Sequence, residues 1–391
     1  MKCSNTRSYI FYSILKKALP IWFVFLLYLL GKGLSYTEAI LLDTFSAVTS
    51  LVFEVPSGIL ADRYSRKKLI IIGEIIIFIN FLILLVSSHY VVFVIGALLS
   101  GIGDACVSGT GEAFIYDSLL QEKEEDKYLE LVSKINKWGF IVVAIATLGS
   151  SYLYDTWNEL PMVISVVMQA GGVICLLCLK EEKGKKSRQP DKKEKGFRIE
   201  LSEQIDIIKK IWTTKGLPEI FIIYVIMLEV ISNVNYSTQA YLPSLGLSVK
   251  YLGCALCVFN IISAFGARFA KRLKMNGKGW IFFYVVVLFL LSTANIYIAM
   301  TALICSRFVN GFVWSILSDE TNKKVESEDR ATILSYQGLF SSIIPLFVDP
   351  LIGMSYDRYS FGGTYFGMGV VLLVFCSGWI IKSRISGRFE T

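Results

Sequence analysis

Charged residues and histidine are scarce in this sequence. Asp, Glu, Lys and Arg make up 18% of its 391 residues and it has 1 histidine, whereas about a quarter of a soluble globular domain is charged. The one histidine, His89, stands alone, so no Ser/His/Asp or Cys/His constellation for hydrolysis can be recognised. A Gly-x-x-x-x-Gly-Lys-Ser/Thr loop for nucleotide phosphates is also absent. We therefore expect no enzyme activity, no ATP site, no cofactor and no metal.

Apolar runs occupy most of the chain instead. Hydrophobic residues make up 54% of it, and its mean hydropathy is +0.57. Because a helix needs about 20 apolar residues to cross a bilayer, these runs predict an all-α polytopic membrane protein. Twelve transmembrane helices are predicted, at residues 9–31, 36–61, 68–88, 90–118, 129–153, 160–180, 216–242, 247–270, 279–298, 300–318, 331–354 and 362–382.

The basic residues lie on one side of the predicted membrane. All but four of the 39 Lys and Arg residues fall near the termini or in alternate loops, the exceptions being Lys32, Lys250, Arg307 and Arg358. Lys and Arg concentrate in the cytoplasmic loops of membrane proteins. We therefore expect a multi-pass protein of the cell membrane with both termini in the cytoplasm. This topology explains the net charge of +7 without a nucleic-acid partner.

One long polar segment, 181–215, divides the predicted helices into six and six. Its Lys-rich first part is typical of a disordered linker. Leu201, Ile205, Ile208 and Trp212 then recur at helical spacing, which predicts an amphipathic helix on the cytoplasmic membrane surface. The predicted domains are a six-helix bundle at 1–180, the linker at 181–215 and a second bundle at 216–391.

The two halves carry similar short patterns in the same order. Predicted helix 5 ends in Gly149-Ser-Ser-Tyr-Leu-Tyr-Asp155, and predicted helix 11 ends in Gly353-Met-Ser-Tyr-Asp357. Parallel six-helix repeats are typical of transporters and are related by an axis along the membrane normal. We therefore expect two bundles with pseudo-two-fold symmetry.

The loop between predicted helices 2 and 3 carries a compact motif. It reads Gly58-Ile-Leu-Ala-Asp-Arg-Tyr-Ser-Arg-Lys-Lys68 and resembles the Gly-x-Leu-Ala-Asp-Arg-x-Gly-Arg-Arg/Lys signature of the major facilitator superfamily, with Ser65 in place of glycine. Arg307-Phe-Val-Asn-Gly311 and Arg330-Ala-Thr also fit that family, and the resemblance covers essentially the whole chain. The lead-in Glu54-Val-Pro-Ser-Gly58 is similar to a bacterial, exporter-like branch.

This resemblance implies secondary transport by alternating access. The resemblance implies a gating role for five residues of the motif, namely Gly58, Asp62, Arg63, Arg66 and Lys67. The alternative for the basic residues of the motif is that they only fix the topology. Two family features are missing: an arginine in predicted helix 4, where Ala97-Leu98-Leu99 stands, and a Gly-Pro pair in predicted helix 5. Their absence leaves the coupling ion and the transport direction open.

Ionisable residues inside spanning helices are functional candidates, because they are expensive to bury in a membrane. A carboxylate in a low-dielectric cavity can also bind a proton near neutral pH. The alternative is a structural pair, for example between an acid and Arg307. We predict a proton-coupling or substrate cavity formed by Asp43, Asp104, Glu112, Glu229, Asn233, Tyr236, Arg307 and Asp349. Structural or gating roles are predicted for Glu54, Glu74 and Arg330.

Predicted helix 2 carries Asp43 and Glu54 eleven residues apart, about 20° from one face and about 16 Å along the axis. This spacing predicts a polar stripe from the cavity to the gate motif. In predicted helix 1, Lys16 and Lys17 either reach the interface or face a cavity.

The sequence thus predicts a monomeric transporter in the lipid bilayer that moves a small molecule, and protons are its leading candidate for the coupling ion. Proton-coupled efflux of an amphipathic compound or drug is the leading interpretation. The alternatives are an uptake permease for a nutrient or metabolite, and a lipid translocase or sensor with the same fold.

Overall fold

The computed structural model describes residues 4–121, 124–179, 209, 211–214, 216–269, 279–325 and 330–388, without the side chains of 62, 63, 112, 121, 125, 331, 332 and 379–388. Every regular element in this part of the chain is a helix, so the predicted all-α class is confirmed. The chain forms two compact units. Unit 1 falls within residues 1–191 and 249–254, and unit 2 within residues 192–248 and 255–391.

Unit 1 is built from eight helices and three short 3₁₀ turns. Helix α5 packs along both α3 and α4, and α1 packs on α8 and α7. Helix α3 starts with a capping box in which Ser35 and Glu38 satisfy each other's backbone N–H groups. The helices are α1 (Ser4–Lys17), α2 (Phe25–Gly31), α3 (Tyr36–Arg63), α4 (Arg66–Val86), α5 (Tyr90–Val107), α6 (Thr110–Gln121), α7 (Tyr128–Thr156) and α8 (Leu160–Leu177); the 3₁₀ turns are Pro20–Phe23, Glu125–Lys127 and Val249–Tyr251.

Unit 2 contains six described helices, the first turn of α10 being part of unit 1. Helix α9 packs on α12, α13 and α14, and α11 packs on α12 and α14. The helices are α9 (Leu217–Ser244), α10 (Leu252–Phe269), α11 (Gly279–Leu291), α12 (Ile296–Lys324), α13 (Arg330–Ile343) and α14 (Pro345–Arg388).

By length and apolarity, nine helices in the described residues can cross a membrane, and ten if α1 and α2 together form one span. Helix α11 has 13 residues and is shorter than that criterion requires. The arrangement agrees with a polytopic membrane protein, and the number twelve stays a prediction. So does the division at 181–215, most of which lies outside the described residues, including Leu201, Ile205 and Ile208.

Two predicted helices of the first half are broken. The span predicted at 9–31 is interrupted by the 3₁₀ turn at Pro20–Phe23, because Pro20 has no N–H to continue the helix, and it then bends by 49° between Phe23 and Phe25. The span predicted at 90–118 breaks after Val107, because Gly109 adopts φ +67°, a left-handed conformation that ends a helix.

Breaks in the second half also differ from the prediction. The span predicted at 279–298 ends early, at Leu291, and α12 begins at Ile296 because the Asn295 side chain accepts hydrogen bonds from the N–H groups of Tyr297 and Ile298. The span predicted at 331–354 is interrupted before Pro345. By contrast, the loop predicted between residues 354 and 362 does contain a break, because α14 consists of two helices that meet at a kink at Ser360, whose φ is 58°.

Glycine allows one pair of helices in each unit to approach closely. In unit 1, a Cβ at Gly101 of α5 would lie 2.2 Å from the Ser46 carbonyl oxygen of α3. In unit 2, a Cβ at Gly311 of α12 would lie 1.9 Å from the Ser263 carbonyl oxygen of α10. Small residues permit such backbone contact between membrane helices.

The segment 249–254 packs on α7 within unit 1. The Gly253 N–H donates to Ser151 Oγ at 2.8 Å. A Cβ at Gly253 would lie 2.3 Å from the Thr147 carbonyl oxygen, so this contact also requires glycine.

Candidate functional site

Unit 1 contains a polar pocket of about 350 Å³, here called the N-pocket. Helices α3, α4 and α5 supply its polar wall, and the bend between α1 and α2 supplies an aromatic one with Trp22 and Phe25. Two predicted acids, one from α3 and one from α5, line the same space. The polar lining residues are Asp43, Ser46, Ser50, Asn80, Ser100 and Asp104.

The predicted stripe on α3 is only partly in this pocket. Asp43 and Ser50 line it, whereas Glu54 and Gly58 are exposed and belong to a later part of the helix. The proposed link between Asp43 and the gate motif through Glu54 therefore stays a prediction.

Glu74 is the centre of a buried cluster in unit 1, here called the Glu74 cluster. Its carboxylate is 1% exposed and accepts hydrogen bonds from Lys16 Nζ at 2.7 Å, Gln169 Nε2 at 2.5 Å and the Tyr12 hydroxyl. Lys16 thus faces the interior of unit 1. Sequence reasoning missed Tyr12 and Gln169, although a lone glutamine in the apolar run of α8 is a recognisable signal.

Unit 2 contains a larger pocket of about 510 Å³ between α9, α13 and α14, here called the C-pocket. Its walls are almost entirely aliphatic and aromatic, and Ile211 and Trp212 close one part of it. Glu229 is the ionisable residue in the wall, with the hydroxyls of Ser355 and Thr364 as further polar groups.

Glu229 and Asp349 form a bridged pair of acids, here called the acid pair. Asn233 Nδ2 donates to Glu229 Oε1 at 2.7 Å and to Asp349 Oδ1 at 2.9 Å. Glu229 and Asn233 are both 6% exposed. The sequence identified all three residues as candidates, and the packing of α14 on α9 brings them together.

Arg307 lies deep in unit 2 among aromatic rings. It is 9% exposed, and its guanidinium carbon lies 5.8 Å from the Phe259 ring centre. Among the described residues it forms no ion pair, and its Nε has no hydrogen-bond partner. The alternative prediction, a structural ion pair between Arg307 and an acid, is therefore not found among the described residues. Tyr236 is half-buried on α9 and does not line the C-pocket.

Arg66 and Lys67 of the gate motif contact later parts of unit 1. Arg66 Nη1 pairs with Asp117 Oδ2 of α6 at 2.5 Å, and Lys67 Nζ donates to the Leu179 carbonyl oxygen. Ser65, which replaces the family's glycine, caps α4 by accepting a hydrogen bond from the Lys68 N–H at 3.4 Å. The side chains of Asp62, Arg63 and Glu112 lie outside the described residues.

In the second half, the exposed Arg330 donates from Nη2 to the Asn322 carbonyl oxygen at 3.3 Å. This contact joins the start of α13 to the last turns of α12.

Known proteins similar in sequence are transporters. An uncharacterized transporter of Buchnera aphidicola subsp. Schizaphis graminum is 30% identical over 128 residues, 33% of this chain and 32% of that protein. The uncharacterized MFS-type transporter YxaM of Bacillus subtilis is 22% identical over 262 residues, 66% of this chain and 63% of that protein. Multidrug resistance protein 2 of B. subtilis is 28% identical over 120 residues, 31% of this chain and 28% of that protein. The chain thus covers less than two thirds of the length of each.

Solved structures with the same fold cover nearly the whole chain. The nucleoside transporter NupG matches with a TM-score of 0.73 at 12% identity, over 97% of this chain and 98% of that one. A bacterial homolog of the human lysosomal transporter Spinster matches with a TM-score of 0.68 at 14% identity, over 97% of this chain and 96% of that one. At these identities the likeness shows the fold alone.

A family model described as Major Facilitator Superfamily matches residues 8–348. That range includes the gate motif and the pocket-lining acids Asp43, Asp104 and Glu229, and it ends just before Asp349. The chain therefore belongs to the major facilitator superfamily of membrane transporters.

Proposed function

We propose that this transporter exports a small amphipathic compound in exchange for protons, and that the acid pair carries the exchanged proton. The observation that carries the proposal is the bridge from Asn233 to both Glu229 and Asp349, beside an apolar pocket.

The carboxylates of buried Glu229 and half-buried Asp349 share one amide donor, and they repel each other when both are charged. A single proton removes one of these charges and with it the repulsion. Asn233 keeps both carboxylates in place while the proton arrives or leaves, because its amide donates to each. A group of this kind can take up a proton on one side of the membrane and release it on the other.

The C-pocket suits the apolar part of a substrate. Its volume of about 510 Å³ falls in the range of sites for drug-sized ligands. None of the described residues that line it is basic, so these residues offer an anion no counter-charge. Glu229 in the wall would attract the polar or cationic end of an amphipathic compound and lose its proton on binding.

The direction of coupling can be measured in proteoliposomes with ethidium as an amphipathic probe. A proton-exchanging exporter accumulates ethidium when the lumen is acidified, whereas an uptake permease that moves protons and substrate together accumulates it when the outside is acidified. We expect accumulation with an acidic lumen. Accumulation under the opposite gradient would establish uptake, and flux that ignores the gradient would refute proton coupling.

The role of the acid pair is tested by Glu229→Gln and Asp349→Asn in the same vesicles. We expect each to reduce gradient-driven accumulation at least tenfold while probe exchange without a gradient persists. Asp319→Asn is the matched control, because Asp319 is an exposed acid paired with Lys323 at the end of α12. Wild-type coupling in both acid-pair variants would refute the assignment.

A further inference from the structure

The Glu74 cluster contains an ion pair whose two members differ sharply in burial. The Glu74 side chain is 1% exposed, and the Lys16 side chain that pairs with it at 2.7 Å is 35% exposed. A buried carboxylate cannot leave its site at low cost. A lysine on a flexible four-carbon stem can change partners by rotating.

Glu74 is held in place by more than the lysine. The Tyr12 hydroxyl and Gln169 Nε2 also donate to its carboxylate, from α1 and α8. These two neutral donors fix its position but leave its charge uncompensated when Lys16 moves. Lys16 stands in the last turn of α1, shortly before the 3₁₀ turn at Pro20–Phe23 that interrupts the span.

Asp104 offers Lys16 a second carboxylate. It lines the N-pocket and follows Gly103, whose carbonyl oxygen would lie 2.7 Å from a Cβ at Gly73, the residue before Glu74, so Asp104 and Glu74 stand at the same close contact of α5 with α4. The ionisable groups that face it come from three other helices: Lys16 and Tyr12 from α1, Glu74 from α4, and Asp43 from α3 in the same pocket wall.

The N-pocket also has an unsatisfied acceptor in its wall. Asn80 lines the pocket at 8% exposure, and its Oδ1 has no hydrogen-bond partner among the described residues. The Asp104 carboxylate and Asn80 Oδ1 thus place a negative charge and an unsatisfied acceptor in one pocket wall, which is an arrangement that attracts a cation.

We propose that the N-pocket binds a cation at Asp104, and that Lys16, shared between Glu74 and Asp104, is the internal competitor that displaces it. In the arrangement seen here, Lys16 sits on Glu74 and leaves Asp104 to a cationic ligand. When Lys16 moves to Asp104, the ligand loses its counter-charge and dissociates. The role of this competition in transport rests on the proposed function, whereas the competition itself can be tested by ligand binding alone.

The test uses the full-length protein, purified in detergent, and equilibrium dialysis of tetraphenylphosphonium. Every variant also carries Glu229→Gln, so the acid pair does not contribute and a failure of the proton-exchange proposal does not affect the outcome. Glu74→Gln frees Lys16 to pair with Asp104, and we expect the probe's Kd to rise about tenfold. Adding Lys16→Met to Glu74→Gln removes the competitor, and we expect the Kd to return to the parent value or below.

This rescue separates competition from a structural role, because a merely structural cluster would be damaged further by the second substitution. Asp104→Asn should weaken binding, and Glu74→Gln should then have no further effect. Lys17→Met is the control for loss of a neighbouring lysine, since Lys17 donates to Asn136 at 3.1 Å. If Glu74→Gln proves poorly folded by size-exclusion chromatography, the Kd of the variant with both Lys16→Met and Glu74→Gln is compared with that of the parent, which carries Glu229→Gln alone. Weaker binding by that pair, an unchanged Kd in Glu74→Gln, or no probe binding by the parent would overturn the proposal.

Discussion

The contact between α10 and α12 can be tested by one methyl group. In Gly311→Ala, the new Cβ would lie 1.9 Å from the Ser263 carbonyl oxygen and 2.9 Å from the Ala267 nitrogen. Ordinary van der Waals contact begins at 3.4 Å, so the helices must separate by about 1.5 Å at this level. The colliding atoms belong to the backbone and cannot rotate away.

The expected loss of stability follows from two opposing effects. Overpacking a tight contact costs about 1–3 kcal/mol, and a clash with backbone belongs at the upper end of that range. Replacing glycine by alanine inside a helix stabilises it by about 1 kcal/mol. The net expectation for Gly311→Ala is therefore a loss of about 2 kcal/mol. Phe259 on α10 would also move away from the Arg307 guanidinium, one turn before Gly311.

The assay is thermal unfolding of the full-length protein in one detergent, with Gly338→Ala as the matched control. Gly338 is also helical, but a Cβ there would meet nothing within 4 Å. We expect Gly311→Ala to lower the midpoint by about 5 °C and Gly338→Ala to leave it unchanged or higher. Equal midpoints for the two variants would show that α10 and α12 do not approach as closely as described.

Two further substitutions test other local contacts. Gly253→Ala places a Cβ 2.3 Å from the Thr147 carbonyl oxygen, so we expect the amide of residue 253 to exchange hydrogen faster. Gly149→Ala is the control, because a Cβ there meets nothing within 4 Å and the exchange of the residue 253 amide should not change. Equal exchange rates in the two variants would contradict the contact. Ser65→Ala removes the cap of α4, so we expect the free energy of unfolding in detergent to fall by about 1 kcal/mol. Ser65→Gly should lower the same free energy by only a few tenths of a kcal/mol. Equal losses in the two variants would refute the capping role.

The hydropathy pattern predicted the class of the protein and the approximate place of most helices, because burial in a membrane demands long apolar runs. It missed the breaks at Pro20 and Gly109, since a break inside an apolar run changes the composition very little. The left-handed conformation of Gly109 depends on the chain around it and cannot be read from the residue alone.

In the candidate site, contacts within one helix could be predicted from the sequence, whereas contacts between residues far apart in the chain could not. Glu229 and Asn233 are four residues apart on one helix, so their contact was visible in the sequence. Asp349 joins them from 116 residues away, and only the packing of α14 on α9 determines that pairing. Lys16 and Glu74 are likewise separated by 58 residues, so the sequence left the lysine's surroundings open.

The position of segment 249–254 also limits how the chain can be cut. It follows α9 in the sequence, yet it completes unit 1 by covering the part of α7 around Thr147 and Ser151. A fragment that ends in the polar linker therefore lacks part of its own folding unit. A split or truncated version of this transporter should therefore keep segment 249–254 with unit 1. A division at the linker would expose the surface of α7 that Gly253 covers.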